Sequence, residues 1–202
     1  MSKTITKTVY QYSELNETAQ ASALAWWCSN AYFDTSDAEK TFKAIASTLG
    51  VKIKDWSVGG YYTFVKFTRP DTNVCNLSGS RALSYIWNNY PAFWKSKYYS
   101  TRGKYINGRY HYKYRYSRVL LQSDNCPLTG YYMDCAVTDA LNKAWSAENR
   151  DTYTVDNFIT DIEHNLAQMF STEHETYYSA EHFAELCEIN DWYFYENGGF
   201  AA

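Results

Sequence analysis

"GKYINGRYHYKYRYSRV", residues 103–119, decides how this chain is read. Asn107-Gly108 is a strong two-residue turn signal, because a type I′ turn needs positive φ at both central positions and Asn followed by Gly supplies it at least cost. Pairing outward from that turn sets Ile106 against Arg109, Tyr105 against Tyr110, Lys104 against His111, Arg102 against Lys113 and Tyr99 against Tyr116. Side chains alternate along a strand, so this register sorts residue types by face. Tyr99, Tyr105, Tyr110, Tyr112, Tyr114 and Tyr116 fall on one face. Arg102, Lys104, His111, Lys113 and Arg115 fall on the other, with Arg109 beside the turn. Two readings follow. Either an aromatic inner face packs on helices below a solvated basic face, or the basic face also takes a polyanion. The six basic residues Arg102, Lys104, Arg109, His111, Lys113 and Arg115 are the candidate contacts for a partner or a nucleic acid.

Charge is segregated along the chain. The net charge is −3 over 202 residues, yet residues 72–123 carry nine Lys/Arg and no acid, and residues 124–202 carry two Lys/Arg and fifteen acids. These blocks either neutralise each other within the fold or form surfaces of opposite sign. Aromatic residues are 19% of the sequence and include 21 tyrosines, so the core is expected to be aromatic. No apolar run approaches the ~20 residues of a membrane span, and MSKTITKTVY has no hydrophobic leader core. Five cysteines without a leader point to reduced thiols.

Residues 4–12 read as an opening strand. Asn16 is placed to cap a helix carrying Ala19, Ala23, Trp26 and Trp27. Ser36-Asp-Ala-Glu39 has capping-box spacing, and its helix bears Phe42, Ile45, Ala46 and Leu49 before Gly50. VKIKDW and YYTFVKFT flank a turn at Gly59-Gly60 and read as strands. Ser80 is placed to cap a helix that Pro91 ends. After the hairpin comes a loop with Pro127 and Gly130, then a mainly helical acidic third. Its stripes are Val137/Ala140/Leu141/Ala144/Trp145, then Val155/Phe158/Ile159/Ile162/Leu166/Met169/Phe170 behind a Thr154 cap, then Phe183/Ala184/Leu186 behind Ser179. DWYFYENGG closes the chain as a short strand and turn. The sequence predicts one α+β domain over 1–202. An antiparallel sheet contains the basic hairpin at about 97–121, helices pack on it, and an acidic helical part runs over about 134–190.

VYQYSELNETAQASALAWW resembles the start of a widespread group of phage and prophage proteins, some labelled antitoxin-like. FKAIASTLGVKIKDWSVG resembles that group's second helix and following strand, and HETYYSAEHFAELCEINDWYFYENGG its ending. About a third of the chain carries the resemblance, and its motifs are structural. It implies a small accessory protein of a mobile genetic element, acting in the bacterial host cytoplasm.

No phosphate-binding loop, nucleophile elbow or HExxH is present. Glu163-His164, Glu173-His174 and Glu181-His182 repeat an acid–histidine pair at spacings of ten and eight residues, which match neither one helical face nor a known metal clip. Cys126 and Cys135 flank a loop, while Cys28 and Cys187 read as core thiols. The expectation is a protein without catalytic group, metal or cofactor that binds a host protein or ribonucleoprotein complex. The expected activity is inhibition of a nucleic-acid-directed defence complex of the CRISPR or restriction type. The acidic third could imitate phosphates, or the basic ribbon could be the contact. A single-strand nucleic-acid-binding accessory role and an antitoxin-like partner role are the alternatives.

Overall fold

The computed structural model describes residues 7–59, 62–90, 94–120, 135–146 and 151–201. Gly60, Pro91, Cys126, Pro127 and Gly130 lie outside them. Within residues 94–104, at Ile106 and within residues 111–120 the backbone is described and the side chains are not. The elements in chain order are β1 (Tyr10–Gln11), a 3-10 turn (Tyr12–Glu14), α1 (Glu17–Asn30), α2 (Ser36–Leu49), β2 (Ile53–Ser57), β3 (Phe64–Phe67), α3 (Thr72–Cys75), α4 (Gly79–Asn89), β4 (Trp94–Ile106), β5 (Arg109–Leu120), α5 (Cys135–Trp145), α6 (Val155–Tyr177), α7 (Ala180–Ile189) and β6 (Tyr193–Phe194). The fold is α+β but mainly helical. Among the described residues the expected single sheet is replaced by three two-stranded antiparallel sheets, β1–β6, β2–β3 and β4–β5. The apolar stripes explain this. Buried side chains come mostly from helices, and β3 contributes only Val65 and Phe67 to the core, so no wide sheet is needed to cover it.

The chain divides into two compact units, residues 1–34 with 170–202, and residues 35–169. The first unit is aromatic. Leu15, Ala19, Ala23, Phe183, Cys187 and Phe194 form its buried cluster, with Tyr12, Trp27, Trp192 and Phe200 among the rings against it. Ala19 and Ala23 keep one face of α1 thin, and rings fill the space. Trp27 stacks on Phe183 at 5.6 Å, and Tyr12 meets the same ring edge-on at 5.0 Å. β1 and β6 close the unit through Tyr10↔Phe194 and Gln11↔Tyr193. Two side-chain caps fix its helices. Asn16 accepts from the Ala19 N–H at 2.9 Å, and Ser179 accepts from the His182 N–H. Asn16→Ala and Ser179→Ala are each expected to cost about 1 kcal/mol, read as a shift in the urea midpoint. A change under the measurement error in both would show that these caps do not bear on stability.

In the second unit the helical stripes bury as patterned. Phe42, Ile45 and Leu49 on α2, Val137 and Leu141 on α5, and Phe158, Ile159, Ile162 and Leu166 on α6 are all 4% exposed or less. Three local expectations are corrected. Ser36 is the first helical residue rather than a cap. Thr35 precedes it and makes no side-chain cap bond, while Glu39 reaches forward to Lys43 at 2.6 Å instead of back. The helix expected from Ser80 starts at Gly79 behind Ser78. A long-range contact sets that start. Ser78 bridges to Thr154, and the Gly79 N–H donates to the Tyr153 carbonyl at 3.0 Å. Cys28 is exposed because, at 100° per residue, it lies about half a turn out of phase with Ala19.

Cys187 is buried as expected, and burial pushes its thiol up to about 11. Cys75 is also buried, and Cys28 and Cys135 are exposed. In the native protein at pH 8, iodoacetamide is therefore expected to modify Cys28 and Cys135, and to reach Cys75 and Cys187 only after unfolding. Peptide mass mapping reads the result, and native labelling of Cys187 would contradict its placement.

Candidate nucleic-acid interface

β4 and β5 form a two-stranded ribbon of 13 and 12 residues that, among the described residues, hydrogen-bonds to no third strand. At about 3.4 Å per residue it is about 40 Å long. Asn107 and Gly108 have φ of 50° and 75°, so both central residues of the turn lie in the left-handed region, as a type I′ turn requires. The pairing then runs as the sequence predicts for three steps: Ile106↔Arg109, Tyr105↔Tyr110 and Lys104↔His111.

Beyond Lys104 the register shifts. Arg102 and Gly103 together stand opposite Tyr112, and pairing resumes at Thr101↔Lys113, Ser100↔Tyr114, Tyr99↔Arg115 and Tyr98↔Tyr116. This is a β-bulge on β4, at a glycine. It corrects the expected placement of Tyr99, which pairs with Arg115 and yields the position opposite Tyr116 to Tyr98.

The physical reason for the slip is visible in the pairs it removes. Unbroken pairing sets Arg102 across from Lys113 and Lys97 across from Arg118, and like charges directly opposite are destabilising. With the bulge, Thr101 faces Lys113, and Ser117 faces Lys97. The slip also re-sorts the faces. Opposite residues of an antiparallel pair share a face. The face of Arg109, His111, Lys113 and Arg115 therefore gains positions 95 and 97, both lysines, alongside Lys104. The face of Tyr110, Tyr112, Tyr114 and Tyr116 gains Tyr98 and Trp94 beside Tyr105. Six of the ribbon's eight Lys/Arg positions, with His111, thus share one face, and seven aromatic positions share the other.

At the tip the side chains of Tyr105 and of residues 107–110 are described. Arg109 is exposed. Tyr105 is 75% exposed and meets Tyr110 edge-on, with ring centroids 5.2 Å apart. Of the six candidate contact residues, the structure gives Arg109 its side-chain placement. Arg102, Lys104, His111, Lys113 and Arg115 are placed by their backbone pairing, and the exposure expected of them lies outside the described side chains.

A second polar cluster, in the unit spanning residues 35–169, was not signalled by the sequence. Glu163 on α6 is 2% exposed. One oxygen accepts from the Phe67 N–H and from the Arg69 guanidinium, both at 2.6 Å. The other accepts from Arg69 at 3.0 Å and from Lys66 at 3.3 Å. Arg69 also donates to Asp156 at 2.6 Å and to the Thr160 hydroxyl. Burial pushes the Glu163 carboxyl up, but the Arg69 bonds, the Phe67 N–H and the charges of Arg69 and Lys66 outweigh it and hold its pKa below the ordinary range. The carboxylate is thus committed to tying β3 to α6. Asp161 is similarly taken up by Lys143 at 2.6 Å and by the Tyr153 hydroxyl.

These pairs bear on the idea that the acidic third imitates phosphates. Asp156, Asp161 and Glu163 face cations of their own unit. Exposed carboxylates among the described residues include Asp139 on α5, Glu175 on α6, and Glu181, Glu185 and Glu188 on α7. Of the acid–histidine pairs, Glu163 is engaged as described, while His174 and His182 sit against rings, 5.2 Å from Phe33 and 5.5 Å from Tyr177. Among the described residues no helix is long and apolar enough to cross a membrane. No family model, curated protein or solved structure matches this chain.

Proposed function

We propose that the protein acts by stoichiometric binding, as an accessory protein of a phage or other mobile element. Its target is a host defence complex that works on nucleic acid, of the CRISPR or restriction type, in the bacterial cytoplasm. The β4–β5 ribbon is its contact surface. One observation carries this reading: the shifted register sets six of the ribbon's eight Lys/Arg positions on one face and seven of its eight aromatic positions on the other, with Tyr99 among the cations and Arg118 among the rings. A polyanion-bearing complex is the partner such a face fits, and a field of one sign steers association. The resemblance of both chain ends to phage and prophage proteins supplies the host context.

The exposed Tyr105–Tyr110 pair gives some support to the single-strand alternative, since bases stack on such rings. Along the rest of the ribbon most ring and cation positions occupy opposite faces, Tyr99 and Arg118 excepted, so the complex-binding reading is preferred.

The test is capture of partners from a bacterial host lysate, with and without nuclease, by the native protein and by a K104E/K113E/R115E variant. The native protein is expected to capture a complex and to saturate near one copy per target. The variant should lose capture, most visibly at low salt where the Debye length is long, while its circular dichroism melt stays within a few degrees. Inactivation of excess target by trace protein, growing with time, would indicate turnover and sink the proposal.

A further inference from the structure

The geometry of the ribbon points to double-stranded DNA as the polyanion it takes, with the cationic face entering the major groove. The inference rests on the proposal that this ribbon is the contact surface, and it names the chemistry recognised there.

A single-strand site needs rings and cations on one face, because bases stack on the rings while cations follow the phosphates of the same strand. The observed register sets most of them apart, with Tyr99, opposite Arg115, the ring position that shares the cationic face. Tyr98, Tyr112, Tyr114 and Tyr116 share a face that is opposite Lys97, Lys113 and Arg115. A duplex needs no stacking surface. Its major groove, about 12 Å wide, admits a two-stranded β-ribbon with phosphates along both walls.

Spacing agrees with this. Arg109, His111, Lys113 and Arg115 occupy every second position of β5. At about 3.4 Å per residue they cover about 20 Å, a length over which each DNA strand presents about six phosphates. On the partner strand, Lys104, Lys97 and Lys95 extend the same face on either side of the bulge. That bulge increases the local twist and bends the ribbon, which suits a curved groove better than a flat surface. A-form RNA is excluded as an equal ligand, because its major groove is deep and too narrow for side chains to read.

The test is fluorescence anisotropy of the full chain with a labelled 30-base-pair DNA duplex, its single strand and the matching RNA duplex, over 50–300 mM salt. The DNA duplex is expected to bind at least tenfold tighter than either other probe. Four to six phosphate contacts give a log–log salt slope of about −4 to −5. K113Q/R115Q should weaken binding and make the slope shallower by about two, and Tyr105→Ala should change duplex affinity less than threefold. Circular dichroism of both variants checks the fold, and Arg109→Ser provides an independent single-cation test at an exposed position. Three results would overturn the inference: single-strand binding equal to the duplex with a tenfold loss in Tyr105→Ala, equal binding of the RNA duplex, or a salt slope that all these variants leave unchanged. Nuclease-resistant capture of a host complex, lost in K113Q/R115Q while no probe binds, would also overturn it and leave the proposed function standing.

Discussion

Glu163→Ala is expected to lower the stability of the protein by about 3–5 kcal/mol, the range seen when one partner of a buried ion pair is removed. The loss has three parts. The Arg69 guanidinium keeps Asp156 but loses both oxygens of its second carboxylate. The Phe67 N–H loses its acceptor in a buried place, which costs about 1–3 kcal/mol by itself. A cavity also opens beside Phe67. The double variant R69M/E163L removes both charges and fills the space, so it should recover much of the loss.

The sign of the pH effect follows from the carboxyl's position. Its pKa in the folded protein lies below the unfolded value. The stabilisation is therefore present above the unfolded carboxyl's pKa and is lost as pH falls through the folded value. The gap in urea midpoint between native protein and Glu163→Ala should be wide at pH 7 and narrow as pH falls through the folded carboxyl's range, leaving the cavity's share. A gap that stays constant with pH would mean that the carboxylate's charge is not what holds β3 to α6.

Gly198→Ala is the second large effect, at about 2–6 kcal/mol. Gly198 has φ of +82°, and a Cβ there would stand 2.1 Å from the Ala19 carbonyl oxygen and 3.0 Å from the Ser22 Cβ. A left-handed residue other than glycine costs about 1–3 kcal/mol, and overpacking against backbone adds about 1–3 kcal/mol. Helix α1 cannot give way cheaply, because Ala19 sits in the buried cluster with Phe183 and Phe194. The C-terminal turn must therefore lift. Trp26 and Trp192 both pack on Phe200, just past that turn, so tryptophan fluorescence of the folded variant should shift to the red. A variant with native melting temperature and native emission would refute this packing.

What the sequence discloses is local. Periodicity places α1, α2 and the three C-terminal helices, because each buries a stripe its own residues define. Asn107-Gly108 identifies its turn because two positive φ values have few affordable chemistries. The bulge at Arg102-Gly103 was not legible, since counting outward from a turn assumes one residue per step. Only comparing the charges set opposite one another reveals a reason to slip. The start of α4 depends on Tyr153 and Thr154, far along the chain. Glu163 and Arg69 are 94 residues apart, and nothing near either one marks it as the other's partner. Abundant acids in the last third read as a solvated face, so one buried carboxylate among fifteen leaves no trace in composition.

Tyr10 pairs with Phe194, and the whole of residues 35–169 lies between the two chain segments that build the first unit. On the ribosome, α1 therefore emerges with its alanine face and Trp27 uncovered, and it stays so until α7 and the final strand have been made. At about 5–20 residues per second that interval is about 10–30 seconds, after which a loop of more than a hundred residues must close, its entropy rising only with the logarithm of length. Residues 35–169 can fold during that wait, and they shorten the chain that has to be searched. The order of synthesis thus favours a middle that forms first and ends that meet last.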